Sequence, residues 1–294
     1  MTIPEPVSSG QPSQTAEIPR YDLHCHSTAS DGALSPSALV ERAAGRGVTH
    51  LALTDHDTLD GFAEAQATAE EVGIRLIAGI ELSCQWKSNT IHIVGLDFDP
   101  FDEKLLQRIA TQNTNRWQRA REIATKLEKI ASANLLDMAV EFAGGTVPGR
   151  PHFAQALIKA GVVTDHGEAF KKYLGTGKKG DVKAFWPELA DIPAWIKEAG
   201  GVAVLAHPRK YRMSATKLRE MIDDFQAAGG QAMEVAVSGQ SSGDTGFLAE
   251  MARRKGLLAS VGSDFHGPGA PWCELGTAPA LPAGLSPVWQ AFQS

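Results

Sequence analysis

The sequence predicts an α/β barrel that is interrupted by a mostly helical insert. Short apolar strands alternate with amphipathic helices from Tyr21 to about Asp99, and this alternation stops over residues 99–194. Strand patterns return in GGVAVLAHP, QAMEVAV and LLASVGSDFH. The chain has 294 residues, of which 43% are hydrophobic, so it is long enough for one large core and an additional domain.

The first part of the chain predicts its elements in order. YDLHCH and VTHLALT are predicted strands, and SPSALVERAAGRG between them is a predicted helix. Ser35 is expected to cap this helix, with Pro36 at its first position and Gly47 just past its end. LDGFAEAQATAEEVG predicts the next helix, and RLIAGIEL and IHIVGLDF predict two more strands. This spacing is typical of parallel βα units.

Composition divides the chain into three regions. Residues 1–19 are rich in Pro, Ser, Gln and Thr and lack the apolar run of a secretory signal, so they predict a disordered tail. Residues 20–98 and 195–294 form the predicted catalytic barrel, and residues 99–194 form the predicted insert, which is expected to contribute substrate binding. The insert has 14 Lys and Arg against 12 Asp and Glu, whereas the rest has 14 against 22. An acidic barrel suits cations, and a more basic insert suits an anion held against them.

Bulk charge and cysteine usage exclude several classes of protein. A net charge of −6 argues against a broad nucleic-acid-coating surface, although it leaves room for a local basic groove. Cys25, Cys84 and Cys273 form no CxxC pair and predict no disulfide framework, which fits a reducing cytoplasmic location. No segment approaches the ~20 apolar residues of a membrane span. We therefore expect a cytoplasmic protein with no membrane contact and no obligate protein partner.

Six of the nine histidines and three acidic residues occupy similar places relative to the predicted strands. Most of these nine residues lie at or just past the C-terminal end of a predicted strand: His24, His26, Asp31, His56, Glu81, His92, His207, Asp264 and His266. In a βα barrel these strand ends converge on one face, where active sites form. Mixed histidine and carboxylate ligands suit Zn, Mn or Fe, and the absence of a cysteine cluster argues against structural zinc. The sequence therefore predicts a metal site.

Each of these residues also has a simpler explanation. Asp31 precedes Gly32 and suits an ordinary turn, Asp264 could cap a helix, and His92 and His207 could be hydrogen-bonded core histidines. Glu81 is harder to explain in this way because it ends an apolar run, where an unpaired carboxylate is costly. The coincidence of six histidines at similar strand positions favours the metal site. Three histidines fall outside the pattern: His50, His152 and His166.

Together these segments resemble the PHP (polymerase and histidinol phosphatase) family. The similar segments are DLHCHSTASDG, ALTDHDT, GIELSC, HIVGLDFD, AHP and GSDFH. The resemblance implies a distorted (β/α)7 barrel, the PHP fold, that hydrolyses phosphate esters with three divalent metal ions. Mn²⁺ is the favoured ion, with Zn²⁺ or Fe²⁺ as alternatives. The ligands that the resemblance implies are His24, His26, Glu81 and Asp264 for the first ion, Glu81, His92 and His207 for the second, and Asp31, His56 and His266 for the third.

The insert narrows the resemblance to one branch of the family. RPHFAQAL, FKKYLGTGK and AGGVAVLAHP resemble the branch that comprises 3′,5′-nucleoside bisphosphate phosphatases and 5′–3′ exoribonucleases of the RNase AM type. This implies hydrolysis of the 3′-phosphate of nucleoside 3′,5′-bisphosphates, or of 5′-phosphorylated short RNA in the 5′–3′ direction, by a metal-bridged hydroxide without a protein nucleophile. Alternatives are a phosphatase for another metabolite such as histidinol phosphate, an amide hydrolase, and a metal-stabilised interaction domain.

Basic residues near the expected site are candidates for substrate contacts. Arg150 lies in a Pro-Gly-Arg-Pro-His context, and its planar guanidinium can bind a second phosphate group bidentately. Lys178 in the loop GTGKKG, and Arg209 and Lys210 after AHP, are expected to assist. Four aromatic residues of the insert either stack on a base or belong to its core: Trp117, Phe153, Tyr173 and Trp186.

Overall fold

The computed structural model describes residues 19–131, 133–183 and 186–293. The predicted N-terminal tail, residues 1–19, lies outside these ranges except for Pro19. None of the helices in the described part of the chain combines the length with the apolar composition that a membrane span requires.

Seven strands form one sheet whose spatial order follows the chain. The strands are β1 (Tyr21–Asp22), β2 (His50–Leu53), β3 (Arg75–Trp86), β4 (Asn89–Leu96), β5 (Val202–Leu205), β6 (Ala232–Val237) and β7 (Leu258–Gly262). The segment after β1 lies against β7, since the Leu23 amide donates to the Val261 carbonyl at 3.1 Å and the Asp264 amide donates to the His24 carbonyl at 2.8 Å. The sheet is therefore nearly closed, which confirms the predicted distorted α/β barrel.

β4 runs against the direction that the sequence predicts. Four strand pairs of the sheet are parallel, but β4 is antiparallel to both β3 and β5. Only Lys87 and Ser88 separate β3 from β4, and Trp86 pairs with Asn89 across this turn. A parallel connection needs a crossover of a dozen or more residues, so a two-residue link forces an antiparallel hairpin. The expectation of a parallel unit for IHIVGLDF was wrong.

The α-helices follow the predicted distribution, with the long helix in the insert. They are α1 (Pro36–Gly45), α2 (Phe62–Val72), α3 (Glu103–Leu127), α4 (Leu135–Phe142), α5 (Arg150–Lys159), α6 (His166–Ala169), α7 (Ile192–Glu198), α8 (Ala215–Ala227) and α9 (Ser242–Lys255). Ser35 caps α1 by accepting a hydrogen bond from the Ala38 amide at 3.2 Å, and Gly47 has a φ of 76° past its end. A five-residue π-helix, Phe170–Leu174, follows α6.

Apolar side chains form separate clusters in the barrel and in the helical segment. Leu105 and Ile109 at the start of α3 pack into the barrel core, together with Ile192 and Ile196 of α7. A second cluster extends from Ala120 to Val182 along the chain, and the side chains of Phe153, Leu157 and Leu174 are fully buried in it. α3 therefore belongs to both cores. The mostly helical insert is confirmed, whereas domain boundaries at 98/99 and 194/195 stay a prediction.

Candidate metal centre

All nine predicted ligands lie together at one end of the barrel. His56 follows β2 and forms a bridge with Glu81 of β3, while His92 lies in β4 opposite Ser83. The others follow β1, β5 and β7: His24, His26, Asp31, His207, Asp264 and His266. Five of the nine are buried to 7% exposure or less, namely His24, His26, Glu81, His207 and Asp264.

Glu81 lies at the middle of this cluster. Five imidazoles lie within 3.4 Å of its carboxylate: those of His24, His26, His56, His92 and His207. Its Oε1 faces His92 and His207 at 3.0 and 2.9 Å, and its Oε2 faces the other three at 3.0–3.4 Å. Because each oxygen faces a different group of imidazoles, this carboxylate can bridge two cations.

The donor atoms form four overlapping groups that could each hold a metal ion. Within each group the atoms lie within 4.8 Å of one another. The groups are His24, His26 and Asp264; His24, Glu81 and His207; His56, Glu81 and His92; and His26, Asp31, His56 and His266. The last group contains all three ligands implied for the third ion. Because the groups share residues, the distribution of ligands among the ions stays a prediction.

Unpaired polar atoms indicate that the cluster fits a cation. Within the described ranges six buried side-chain nitrogen or oxygen atoms lack a hydrogen-bond partner, and four belong to this centre: His26 Nδ1, Asp31 Oδ1, His56 Nδ1 and His207 Nδ1. His56 Nδ1 is close to Glu81 but not in hydrogen-bond geometry. Such atoms are costly unless a ligand satisfies them. His24 Nε2 lies 3.1 Å from His26 Nε2 and 3.5 Å from Asp264 Oδ1. These spacings suit ligands bound to one ion at about 2.0–2.2 Å.

Electrostatics hold His26, Glu81 and Asp264 in the protonation state that metal binding needs, but not every predicted ligand. Although burial opposes it, nearby carboxylates raise the pKa of His24 well above its usual range and that of His56 to about 9, so these two imidazoles would lose a proton on binding a metal ion. Burial, and next the neighbouring His266, lower the pKa of His26 to about 3, so its imidazole is neutral at pH 7. Burial opposes ionisation of Glu81, but His56 and His92 hold the pKa of this carboxyl well below its usual range. Burial also opposes ionisation of Asp264, whose pKa His24 holds well below the usual range. Neutral imidazoles and ionised carboxylates are the forms that bind metal ions.

Glu234 supports the centre from behind and was not predicted from the sequence. It lies in β6, where every side chain is buried. Its Oε1 accepts a hydrogen bond from His24 Nδ1 at 2.6 Å, and its Oε2 accepts one from the His207 amide at 2.5 Å. A carboxylate on the far ring nitrogen orients a metal-binding histidine and raises its basicity. The available sequence signal was a lone carboxylate in the apolar strand QAMEVAV.

Two of the predicted ligands have unusual backbone conformations. His207 has a φ of 30° and Asp264 has a φ of 53°, both in the left-handed region that residues other than glycine rarely adopt. The Glu234 carboxylate holds the His207 amide, and the His24 carbonyl holds the Asp264 amide. Such strain persists where surrounding contacts fix it, typically at functional sites.

A buried carboxylate connects the centre to α3. Asp57 Oδ1 accepts hydrogen bonds from the Ser83 amide at 2.7 Å and from Gln112 Nε2 at 3.0 Å, and its Oδ2 accepts one from Arg116 Nε. Asp57 directly follows His56, and Ser83 lies two residues after Glu81. Gln112 and Arg116 were not predicted, although Gln112 falls on the helical stripe of buried residues that includes Ile109.

The insert residues proposed for substrate binding differ in their surroundings. Arg150 begins α5, is half-buried, donates from Nη1 to the Leu174 carbonyl at 3.3 Å, and lies over the Phe170 ring. Lys178 is exposed. Phe153 and Trp186 are 0% and 8% exposed, so they belong to the core and not to a base-stacking surface.

Arg209 and Lys210 lie beside the metal centre, after β5. Arg209 is half-buried over the Phe247 ring and pairs with Asp244 at 2.6 Å. Lys210 forms an ion pair with Asp264, itself one of the nine predicted ligands. Arg150 and Lys178 belong to the helical segment, whereas Arg209 and Lys210 lie in a short 3-10 helix, Pro208–Tyr211, directly after His207.

Comparisons with known proteins give the family. The model of the PHP domain matches residues 22–182. A 5′–3′ exoribonuclease of Haemophilus influenzae is 47% identical over 93% of this chain and 99% of its own length. A 3′,5′-nucleoside bisphosphate phosphatase of Chromobacterium violaceum is 43% identical over 93% of this chain and 96% of its own length.

Two solved structures share the whole fold. An amidohydrolase from Chromobacterium violaceum, with bound sulfate and no metal, superimposes with a TM-score of 0.86 at 43% identity, over 92% of this chain and 95% of its own. A Bifidobacterium adolescentis protein assigned as a metal-dependent phosphoesterase superimposes with a TM-score of 0.78 at 29% identity. The match covers 93% of this chain and 96% of the other. This chain therefore belongs to the PHP domain family.

Proposed function

We propose that this protein is a metal-dependent phosphoesterase that removes the 3′-phosphate of nucleoside 3′,5′-bisphosphates and shortens 5′-phosphorylated RNA from its 5′ end. The observation that carries this proposal is the cluster of six histidines and three carboxylates around Glu81, with buried donor atoms that lack protein partners. The substrate class rests on relatives named as a bisphosphate phosphatase and a 5′–3′ exoribonuclease, each matched over almost its full length.

We infer that the centre holds three divalent ions, with Mn²⁺ as the favoured identity. His24, His26 and Asp264 would hold the first, Glu81 would bridge it to a second with His92 and His207, and the third would be held by Asp31, His56 and His266. Ions held in this way supply positive charge for the phosphoryl oxygens and lower the pKa of bound water towards about 7.

No protein nucleophile is needed in this proposal. Cys25 lies between two ligand histidines, but its side chain is fully buried and its Sγ donates to the Ala52 carbonyl at 3.2 Å. Burial, and next the charge of Asp22, raise the pKa of this thiol well above its usual range, which disfavours the reactive thiolate.

The basic residues would bind the substrate. Lys210 contacts Asp264, so its ammonium group is placed to meet an oxygen of a phosphate bound at the centre. Arg209 next to it is oriented by Asp244. Arg150 and Lys178 would face the part of the substrate that extends towards the insert.

The test is a side-by-side assay of the full-length, Mn²⁺-loaded protein. Adenosine 3′,5′-bisphosphate, a 5′-phosphorylated short RNA and histidinol phosphate are offered separately, and phosphate and nucleotide products are quantified. We expect release of the 3′-phosphate from the bisphosphate and stepwise RNA shortening from the 5′ end. Asp264→Asn, which removes a ligand charge at constant size, should abolish both activities and reduce bound metal. Hydrolysis of histidinol phosphate alone would overturn the proposed substrate class.

A further inference from the structure

An exposed tryptophan lies beside the metal centre, in the loop that follows β7. Within residues 19–131, 133–183 and 186–293, two large apolar side chains are more than half exposed, namely Trp272 at 68% and Phe101 at 75%. A tryptophan ring left in water forgoes much of the stabilisation that its burial would give. Single exposed apolar residues are common on protein surfaces, so it is the position of Trp272 that indicates its role.

Contacts of this loop hold Trp272 close to one of the predicted ligands. Trp272 lies eight residues after Asp264. The next residue, Cys273, donates from Sγ to the Ser263 carbonyl at 3.1 Å and to the Asp264 carbonyl at 3.5 Å. The edge of the indole packs on Gly239, where a Cβ would lie 3.1 Å from Cδ1 of Trp272. The ring is therefore held beside Asp264 while most of its surface stays open to solvent.

Trp272 and the helical insert lie on different sides of the centre. Because the strand order of the sheet follows the chain, the loops after β5, β6 and β7 are neighbours at the mouth of the barrel. Lys210 follows β5, Gly239 follows β6 and Trp272 follows β7. A small cavity of about 30 Å³ between the centre and the insert is instead lined by Asp31 and His56, which follow β1 and β2.

Three cationic residues lie on the same side of the centre as the tryptophan. Arg209, Lys210 and the exposed Arg212 come shortly after β5. Burial, and next the charge of Asp264, raise the pKa of the Cys273 thiol, and the nearby ammonium group of Lys210 opposes this rise. Basic residues are thus close to the neighbour of Trp272. Proteins bind single-stranded nucleic acids with this combination, in which cations follow the backbone and an aromatic ring stacks on a base.

We propose that Trp272 stacks on the base of the second nucleotide of an RNA substrate, on the 3′ side of the bond that is hydrolysed. This rests on the proposed function and names a contact that RNA makes and a nucleoside bisphosphate does not. Water adds its hydroxyl to phosphorus and its proton to the 3′-oxygen of the first nucleotide, so the phosphate stays on the second nucleotide. Since the first nucleotide extends towards the insert, the chain beyond the phosphate is directed to another side of the centre, where Trp272 is exposed.

The first arm of the test compares the 5′-phosphorylated diadenosine dinucleotide with adenosine 3′,5′-bisphosphate, which ends at the phosphate. Values of kcat/KM are measured for both with Mn²⁺-loaded, full-length wild-type protein and Trp272→Ala. Stacking of a base on an aromatic ring is worth about a 5- to 150-fold change in binding, so the ratio of the dinucleotide value to the bisphosphate value should fall by such a factor. Trp272→Phe keeps a ring and should restore most of this ratio. An unchanged ratio in Trp272→Ala would overturn the proposal.

A dinucleotide that lacks the second base is the matched substrate control. It keeps both phosphates and the second ribose, so only the stacking partner of Trp272 is removed. Wild-type protein should hydrolyse it about 5- to 150-fold less efficiently than the intact dinucleotide, whereas Trp272→Ala should not distinguish the two. If the variant keeps the wild-type preference for the intact dinucleotide, the second base binds elsewhere and the proposal is wrong.

Phe101 provides the control variant in the protein. It is as exposed as Trp272 but lies at the other end of the barrel, near the start of β5. There the amide of Asp99 donates to the Ala199 carbonyl at 2.8 Å, three residues before β5 begins at Val202. Phe101→Ala should leave the ratio of the two substrates unchanged. A fall as large as that in Trp272→Ala would contradict a specific contact of Trp272.

The last arm measures stacking without turnover. A dinucleotide analogue in which a methylene group replaces the 3′-oxygen is titrated into the metal-loaded, full-length protein, and tryptophan fluorescence is recorded. We expect quenching in the wild type that is absent in Trp272→Phe, and equal quenching in the two proteins would overturn the proposal. A wild-type protein that shows this difference but hydrolyses neither substrate would sustain the stacking contact and overturn the proposed function instead.

Discussion

His24 illustrates how single residues of the centre are held in place. Its Nε2 faces His26, Glu81 and Asp264 at 3.1–3.5 Å, while its Nδ1 is bonded to Glu234. The second oxygen of Glu234 fixes the backbone of His207, so one carboxylate orients two of the predicted ligands. The consequence is that Glu234 should control metal affinity although it faces no metal position.

We expect Glu234→Gln to weaken metal binding by about 10- to 100-fold, the usual effect of losing such a supporting carboxylate. A glutamine has only one acceptor oxygen, so it cannot accept from both His24 Nδ1 and the His207 amide. The measurement is metal content after dialysis against graded free Mn²⁺. Glu250→Gln is the control, because Glu250 is an exposed partner of Arg254. Unchanged metal affinity in Glu234→Gln would show that His24 is oriented without it.

The role of Glu234 in orienting His24 and His207 could not be predicted from the sequence. That the nine predicted ligands lie together could be predicted because strand ends of a barrel converge whatever the loops do. Glu234 and His24 are 210 residues apart, and only the closed barrel brings them together. A carboxylate within an apolar strand indicates that a partner exists, but the pattern alone does not identify that partner.

At the scale of elements, α3 connects the two apolar clusters. Its first turns pack into the barrel, its last turns pack into the insert, and between them Gln112 and Arg116 bond to Asp57 beside His56. A hydrogen-bonded glutamine in the buried stripe of a helix fixes the position of that helix more closely than an apolar side chain would.

Gln112→Leu should therefore lower the free energy of unfolding by about 1–3 kcal/mol, because it leaves the Ser83 carbonyl and one Asp57 interaction without a donor. Urea unfolding checks the stability, and kcat/KM on the bisphosphate checks the site. Gln118→Leu changes an exposed position of the same helix and should alter stability by no more than about 0.5 kcal/mol. Similar effects of the two variants would mean that Asp57 does not fix α3.

The direction of β4 shows why elements are only partly predictable. The apolar residues predicted a strand at IHIVGLDF, which begins and ends two residues later than β4. The turn before β4 contains Lys87 and Ser88 and lacks the Asn-Gly or Asp-Gly pair that indicates a tight hairpin. Lys87 adopts a φ of 53° without being glycine. The antiparallel direction of β4 brings His92 to the centre from within the strand and not from its C-terminal end.

At the scale of the whole molecule, the centre joins segments from most of the barrel. Its nine residues come from β3 and β4 and from the loops after β1, β2, β5 and β7, so bound ions would connect nearly every strand of the sheet. Several of the donors are buried without a protein partner. A site of this kind is complete only in the folded chain, so metal binding is coupled to folding.

Removal of metal should therefore lower the melting temperature of the protein. An ion at 100 times its dissociation constant stabilises the folded state by about 2.7 kcal/mol, which corresponds to a shift of roughly 5 °C for a chain of this size. Differential scanning calorimetry before and after chelation, and again after Mn²⁺ is restored, measures the shift. Asp264→Asn should respond less to chelation than the wild type does. Identical melting temperatures with and without metal would show that the centre is fully formed by the protein alone, with its unpaired imidazoles satisfied by water.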